Sequence, residues 1–324
     1  MVTLSVEAIT DRLFLGDALA VLKTLPAASI DLIITSPPYA DNRKKTYHGF
    51  PIRKYVELFL PISSELKRIL KSEGSFVLNI KERAVDGERQ TYVLELILAM
   101  KKQGWLWTEE YIWCKTNCYP GKWPNRFRDS WERCLHFTLQ KRFKMYQDRV
   151  MVPVGEWADG RLKNLSETDR LRDESKVGSG FGKNVSNWLG REMVYPSNVL
   201  HSATECSNRE HSAAFPIGLP SWFIRLLTDE GDLVLDPFMG SGTTALAAID
   251  LKRHYVGADL MPEYHELAGI AVAKRLVQRG ETEHGSNGHR GTSADYLRQP
   301  SGVPPAQVTE SAERPPRQHR PRRS

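Results

Sequence analysis

The sequence predicts an α/β fold: a mostly parallel, doubly wound, Rossmann-like sheet carrying an irregular insert. Three observations lead there. Short apolar runs of strand length, such as Ile30–Thr35, Ser75–Ile80 and Leu233–Leu235, alternate with stretches whose apolar residues recur at helical spacing. The strand-like runs end in turns rich in Pro, Gly or Ser. The 324 residues are 40% hydrophobic and 26% charged, enough apolar material for a large core.

Taken in order, Leu13 to Leu15 is an apolar run that stops at Gly16-Asp17, and a helix is expected from Ala18 to Leu25. Ile30 to Thr35 is a buried strand ended by Ser36-Pro37-Pro38-Tyr39, and residues 40–54 read as a polar, basic loop. Val56, Phe59, Leu60, Leu66 and Leu70 share a helical face, so Tyr55 to Leu70 is a helix closed by Ser72-Glu73-Gly74. Ser75 to Ile80 is the next strand, and Thr91 to Lys102 a helix closed by Gly104. From Lys115 to Tyr195 the chain turns rich in Trp, Asn, Gly and Arg and loses its long apolar runs, as an irregular insert would. Regular pattern returns with helix Pro220–Thr228, strand Leu233–Leu235, helix Thr243–Leu251, strand Tyr255–Ala258 and a last helix from Pro262 to Gln278. Beyond Glu283 the composition predicts disorder.

The net charge is +6, with an isoelectric point near 9.0. It is unevenly spread. Residues 115–195 hold 16 Lys/Arg against 10 Asp/Glu, and residues 284–324 hold 7 Arg against 3 acids, leaving −4 on the rest. A basic segment of this kind attracts phosphates. Nothing resembles a secretory signal or a membrane span, so a cytoplasmic protein is expected. Cys114, Cys118, Cys134 and His136 lack a clean second ligand pair for zinc, and structural thiols without metal are expected.

Leu233 to Ala245 reads as a strand, a glycine turn and a helix start. Gly240 and Gly242 let the backbone approach a ligand, and Asp259 ends the following strand, where an acid can accept ribose hydroxyls. Thr243 stands where a phosphate-binding loop would need Lys, which argues against a Walker loop. Asp236 at the mouth of the turn would repel a pyrophosphate and suits a cationic nucleoside, S-adenosyl-L-methionine above a nicotinamide dinucleotide.

In Ser36-Pro37-Pro38-Tyr39 the two prolines hold the residues before them extended. The Ser36 hydroxyl and the Pro37 carbonyl then face outward at a strand's carboxyl end, with Tyr39 as a flat wall beside them. An exocyclic amino group could donate to both while its ring stacks on the tyrosine.

With Ser36–Tyr39 first, 115–195 next and Asp236–Thr244 last, the chain resembles a bacterial DNA amino-methyltransferase of the permuted beta group. The resemblance covers roughly residues 10–275. It implies a Rossmann-like methyltransferase fold with a catalytic half (1–114), a target-recognition region (115–200), a cofactor-binding half of the same core (201–283) and a basic tail (284–324). Ser36, Pro37, Pro38 and Tyr39 would be catalytic. Asp17, Phe215, Pro216, Asp236, Phe238, Gly240, Ser241, Gly242, Thr243 and Asp259 would hold S-adenosyl-L-methionine, with Glu210–Pro216 similar to a further cofactor-contacting segment of the family.

A serine at the head of the prolyl turn is the family's usual cytosine-N4 form. Methylation of adenine N6 is the alternative within the same group. The target base must leave the duplex to reach this pocket. Arg43, Lys122, Trp123, Arg126, Arg128, Lys144 and Lys183 are the candidate contacts to double-stranded DNA. A restriction endonuclease is the implied functional partner, and a homodimer is a further possibility. Two readings outside the family remain: a nicotinamide oxidoreductase, which would leave the prolyl turn idle, and a noncatalytic DNA-binding module, which would need neither pocket.

Overall fold

The computed structural model describes residues 2–40, 50–118, 121, 123–154, 191–204 and 215–280. The apolar runs become neighbouring strands of one sheet: β1 (Arg12–Leu15), β2 (Ile30–Thr35), β3 (Leu70–Ile80), β4 (Leu106–Lys115), β5 (Trp131–Thr138), β6 (Val199–Ser202), β7 (Leu233–Asp236) and β8 (His254–Asp259). Their spatial order is β1-β8-β7-β2-β3-β5-β4-β6. Every neighbouring pair is parallel except the two made by β5, which runs against β3 and β4.

Both faces are covered, which is why the central strands are continuously apolar. A short α1 (Val6–Ile9) precedes β1; Ile33, Phe76, Leu78 and Leu235 point to one face, where they meet α2 (Ala18–Leu22), α3 (Tyr55–Ile69) and α4 (Tyr92–Lys102) through Leu22, Phe59 and Leu96. Leu32, Ile34, Val77 and Val234 point to the other, against α5 (Gly218–Leu227), α6 (Thr243–Asp250) and α7 (Pro262–Gln278) through Phe223, Ala247 and Ala268. No helix among the described residues is long and apolar enough to cross a membrane.

Three differences from the sequence reading matter. The helix after β1 stops at Leu22 rather than Leu25. The Ser72-Glu73-Gly74 segment does not close a helix; it is absorbed into β3, whose pairing with β2 shifts register between Ile30 and Leu32. The third difference is larger. Trp131–Thr138, assigned to an irregular insert, is an interior strand between β3 and β4 (Leu106–Lys115), and Val199–Ser202 adds β6 beyond β4 as the edge strand. Glu132, Arg133 and His136 hid this strand, because buried polar residues look unlike a core until their partners are known. Arg133 pairs with Glu82 at 2.8 Å and with Glu110, while His136 meets the Ser75 hydroxyl at 2.9 Å. Burial pushes the His136 pKa down to about 4, so it is a neutral core residue.

Candidate active site

β2 and β7 are adjacent and parallel, with Leu32 opposite Val234 and Ile33 opposite Leu235. From β7 the chain crosses through α6 to β8 on one side; from β2 it crosses through α3 to β3 on the other. The reversal opens a crevice at the strands' carboxyl ends, where open α/β sheets bind ligands. Both turns singled out in the sequence therefore sit side by side at that point.

A buried clasp joins them. Thr35 Oγ1 donates to Asp236 Oδ1 at 2.5 Å, and Asp236 also accepts from the Phe238 N–H at 3.0 Å and from Thr244 Oγ1 at 2.7 Å. Asp236 is only 3% exposed, and its burial pushes the pKa up to about 6 against the pull of those three donors. This corrects the expectation that Asp236 faces a cationic ligand. Its carboxylate turns inward and ties the glycine turn to the prolyl turn.

The glycine turn is left-handed at Gly240 (φ 53°) and Gly242 (φ 86°), and a side chain on Gly242 would come within 3.1 Å of Ala268 Cβ in α7. The Gly240 N–H donates to Asp259 Oδ2 and the Met261 N–H to Asp259 Oδ1, both at 2.9 Å, so the turn is built around that acid. Burial raises the Asp259 pKa in spite of these bonds. Each oxygen keeps a lone pair for a ribose hydroxyl. Leu15 pairs with Asp259, which places Asp17 two residues beyond, exposed, at the start of α2, where it accepts from the Ala20 N–H at 3.0 Å. Two carboxylates at the ends of neighbouring strands beside a glycine turn fit an adenosine-bearing cofactor. Ser241, Thr243 and Phe238 are half-buried around that turn. Phe215 is buried in the core facing α5, and Pro216 accepts the Leu219 N–H at 2.9 Å as the chain enters that helix. Glu210–Ala214 lie outside the described residues.

The prolyl turn is supported from the other side. Ser36 Oγ donates to the Tyr39 hydroxyl at 3.4 Å, and that hydroxyl donates to Glu132 Oε2 at 2.5 Å, with Asn79 Oδ1 at 3.4 Å. Glu132, at the start of β5 and 4% exposed, is held by Lys115 Nζ at 2.5 Å, with Lys81 Nζ at 3.9 Å. Burial, followed by the charge of Glu132, raises the Tyr39 pKa well above that of an ordinary phenol, so Tyr39 stays protonated. Among the described residues nothing donates to the Pro37 carbonyl. Sequence reasoning found Ser36 to Tyr39 but missed Asn79, Lys81, Lys115 and Glu132. The signal available was a lone acid and lone lysines in stretches that would have to be buried.

Residues 30–270 match the family described as DNA methylase. The chain belongs to that family. Among curated relatives, the Type II methyltransferase M.PvuII of Proteus hauseri is 30% identical over 274 residues, covering 78% of this chain and 80% of its own. M.BglII of Bacillus subtilis is 26% identical over 306 residues, covering 94% of this chain and 79% of its own. Among solved structures, the PvuII DNA methyltransferase described as cytosine-N4-specific superposes with a TM-score of 0.60 at 25% identity, covering 91% of each chain. A putative DNA modification methylase from Thermus thermophilus, complexed with S-adenosyl-L-methionine, shares the fold with a TM-score of 0.54 at 24% identity, over 82% of this chain and 93% of its own.

The candidate DNA contacts of this DNA methylase divide. β4 is antiparallel to β5 and β5 to β3, so the described residues that follow β4 and precede β5 (116–118, 121 and 123–130) lie on the side of the prolyl turn. There Arg126 lies 4.7 Å over the half-exposed Trp123 ring and pairs with Asp129 at 3.2 Å; Arg89 holds Asp129 at 2.6 Å. Arg128 donates to the Cys118 carbonyl at 3.0 Å, and Phe127 between the arginines is 94% exposed. Lys144 is a correction. It follows the far end of β5 and pairs with Asp232 at 2.6 Å and Asp31 at 3.2 Å, beside the amino ends of β7 and β2. These acids raise its pKa against partial burial. Lys144 is a structural cation on the side opposite the prolyl turn. Arg43, Lys122 and Lys183 lie outside the described residues.

Proposed function

We propose that this DNA methylase transfers a methyl group from S-adenosyl-L-methionine to the exocyclic N4 of cytosine in duplex DNA. We infer that it is the modification enzyme of a type II restriction system whose endonuclease is its functional partner. The observation that carries the reading is the clasp of Thr35, Asp236 and Thr244, which seats the Ser-Pro-Pro-Tyr turn directly beside the glycine turn. The likeness to M.PvuII and to the cytosine-N4-specific PvuII enzyme supports the choice of base and setting.

When bound, S-adenosyl-L-methionine supplies a methyl group activated by a sulfonium. Asp259 and Asp17 would hold its adenosine, and Gly240 and Gly242 would let the backbone pass close to it. On the other side of the clasp, Ser36 Oγ and the Pro37 carbonyl accept hydrogen bonds from the amino group of a flipped base. Those acceptors favour a pyramidal nitrogen and concentrate a lone pair otherwise delocalised into the ring. Tyr39 stacks on the base, and the rim of Trp123, Arg126 and Arg128 meets the duplex.

Incubating the protein with isotope-labelled S-adenosyl-L-methionine and unmodified genomic DNA, then reading the product base by base, tests this. Label in N4-methylcytosine at one sequence is expected; N6-methyladenine would overturn the choice of base, and no label in any DNA would overturn the whole reading. Ser36→Ala should lower kcat by about 10²–10³-fold while S-adenosyl-L-methionine binding stays within about twofold of wild type. Lost cofactor affinity alone would contradict the role given to Ser36.

A further inference from the structure

Transfer of a methyl group to an aromatic amine leaves a proton to be removed, and the turn that accepts the amine contains no obvious base. The hydrogen bonds behind it have one direction. Ser36 Oγ donates to the Tyr39 hydroxyl, and Tyr39 donates to the carboxylate of Glu132. With its own proton turned toward Tyr39, Ser36 presents lone pairs to the crevice. The row ends on a buried charge supplied by a different strand.

We propose that Ser36, Tyr39 and Glu132 form a proton relay, with Glu132 as the final acceptor of the proton lost by the target amine. The inference rests on the amino-methyltransferase reading above. As the nitrogen–methyl bond forms, the amine nitrogen gives a proton to Ser36 Oγ. Ser36 passes its own hydroxyl proton to Tyr39, and Tyr39 passes its proton to Glu132, which becomes a neutral acid. After product departs, that acid returns the proton to water and the row resets.

Glu132 touches neither base nor cofactor; it is a positioning residue that acts through Tyr39. The direction of transfer is downhill. A protonated, methylated aromatic amine regains ring conjugation by losing its proton, so a carboxylate is much the stronger base. Tyr39 is raised well above an ordinary phenol by burial and by Glu132, which suits a group that passes a proton on without storing a charge. The charged groups facing Glu132 are Lys115 at 2.5 Å and Lys81 at 3.9 Å, and they hold the carboxylate in place behind Tyr39 between turnovers. The 3.4 Å separation of Ser36 and Tyr39 is of the kind that shortens when substrate packs against the turn.

Rapid-quench single-turnover methylation of duplex DNA by the full chain tests the relay. Glu132→Gln still accepts from Tyr39 but cannot take up a proton. Its rate of methyl transfer should fall about 10²-fold or more, with S-adenosyl-L-methionine and DNA affinities unchanged. Tyr39→Phe keeps the stacking ring and breaks the row, so it should lose a similar factor, and the double variant should lose no more than either single one. Glu132→Asp, which keeps a carboxylate, should recover part of the rate. Glu132→Gln within threefold of wild type, or losses that multiply in the double variant, would overturn the relay while leaving the methyltransferase reading intact. If Glu132→Gln does not fold, Tyr39→Phe decides, and a wild-type rate there overturns the relay equally. A wild-type protein that methylates no DNA would instead overturn the reading on which the relay rests.

Discussion

The two turns that meet in the crevice are held in different ways. The glycine turn between β7 and α6 is built from nearby chain: Asp236 binds Phe238 and Thr244, and Asp259 binds Gly240 and Met261, all within a span of 26 residues. The prolyl turn after β2 depends on residues that only the sheet brings close. Tyr39 reaches Asn79 in β3, 40 positions away, and Glu132 in β5, 93 positions away, and Glu132 in turn needs Lys115 of β4. A cradle for a small ligand can be specified by local backbone geometry. The prolyl turn draws its rigidity from three strands, so damage to β5 reaches it directly.

Substitutions can sharpen this contrast. Gly242→Ala should have the largest effect on stability, about 3 kcal/mol by urea denaturation. It places a side chain in left-handed backbone and forces Cβ to within 3.1 Å of Ala268 Cβ. An unchanged midpoint would show that the glycine turn yields more easily than its packing implies.

Asp236→Asn tests the joint between the two turns. The wild-type carboxyl has its pKa raised to about 6, so the folded protein keeps a proton that the unfolded chain has already released above about pH 4. Wild-type stability therefore falls as pH rises through that window, and the penalty is fully present above about pH 6. Asparagine does not titrate. The difference in unfolding free energy should shift toward the variant by about 2 kcal/mol between pH 4 and 7. A flat difference across that range would mean that Asp236 is not raised.

The smallest effects separate the two sides of the sheet. Lys144→Met should cost about 1 kcal/mol in urea denaturation, by taking its lysine from Asp232 and leaving Asp31 to Lys71, and leave the salt dependence of DNA binding untouched. Arg128→Ala should leave stability unchanged and lower the slope of log affinity against log salt by about 1. A reversal of these outcomes would put the DNA on the opposite end of the sheet.

Much of this molecule was legible in its sequence. Strands buried on both faces announce themselves as apolar runs, so β2, part of β3, β7 and β8 were readable, and β2 and β7 ended in turns with recognisable chemistry. β4 and β5 were not. β5 carries Glu132, Arg133 and His136 where a core strand usually has aliphatic residues, and each is acceptable only because Lys115, Glu82 and Ser75 lie opposite. Lys144 misled for the same reason. A lysine in a basic segment reads as a phosphate contact until its acids are found in β2 and just before β7.

By itself the sequence determined the sheet's class, the two turns and their order along the chain, because backbone preferences of Pro and Gly and the period of apolar residues act over short distances. The tertiary structure alone decided that Asp236 faces inward as a clasp, that Glu132 stands behind Tyr39, and which lysines and arginines face the site. A charged or polar side chain takes its role from the partner it meets, and here those partners lie 17 to 201 residues away in the chain.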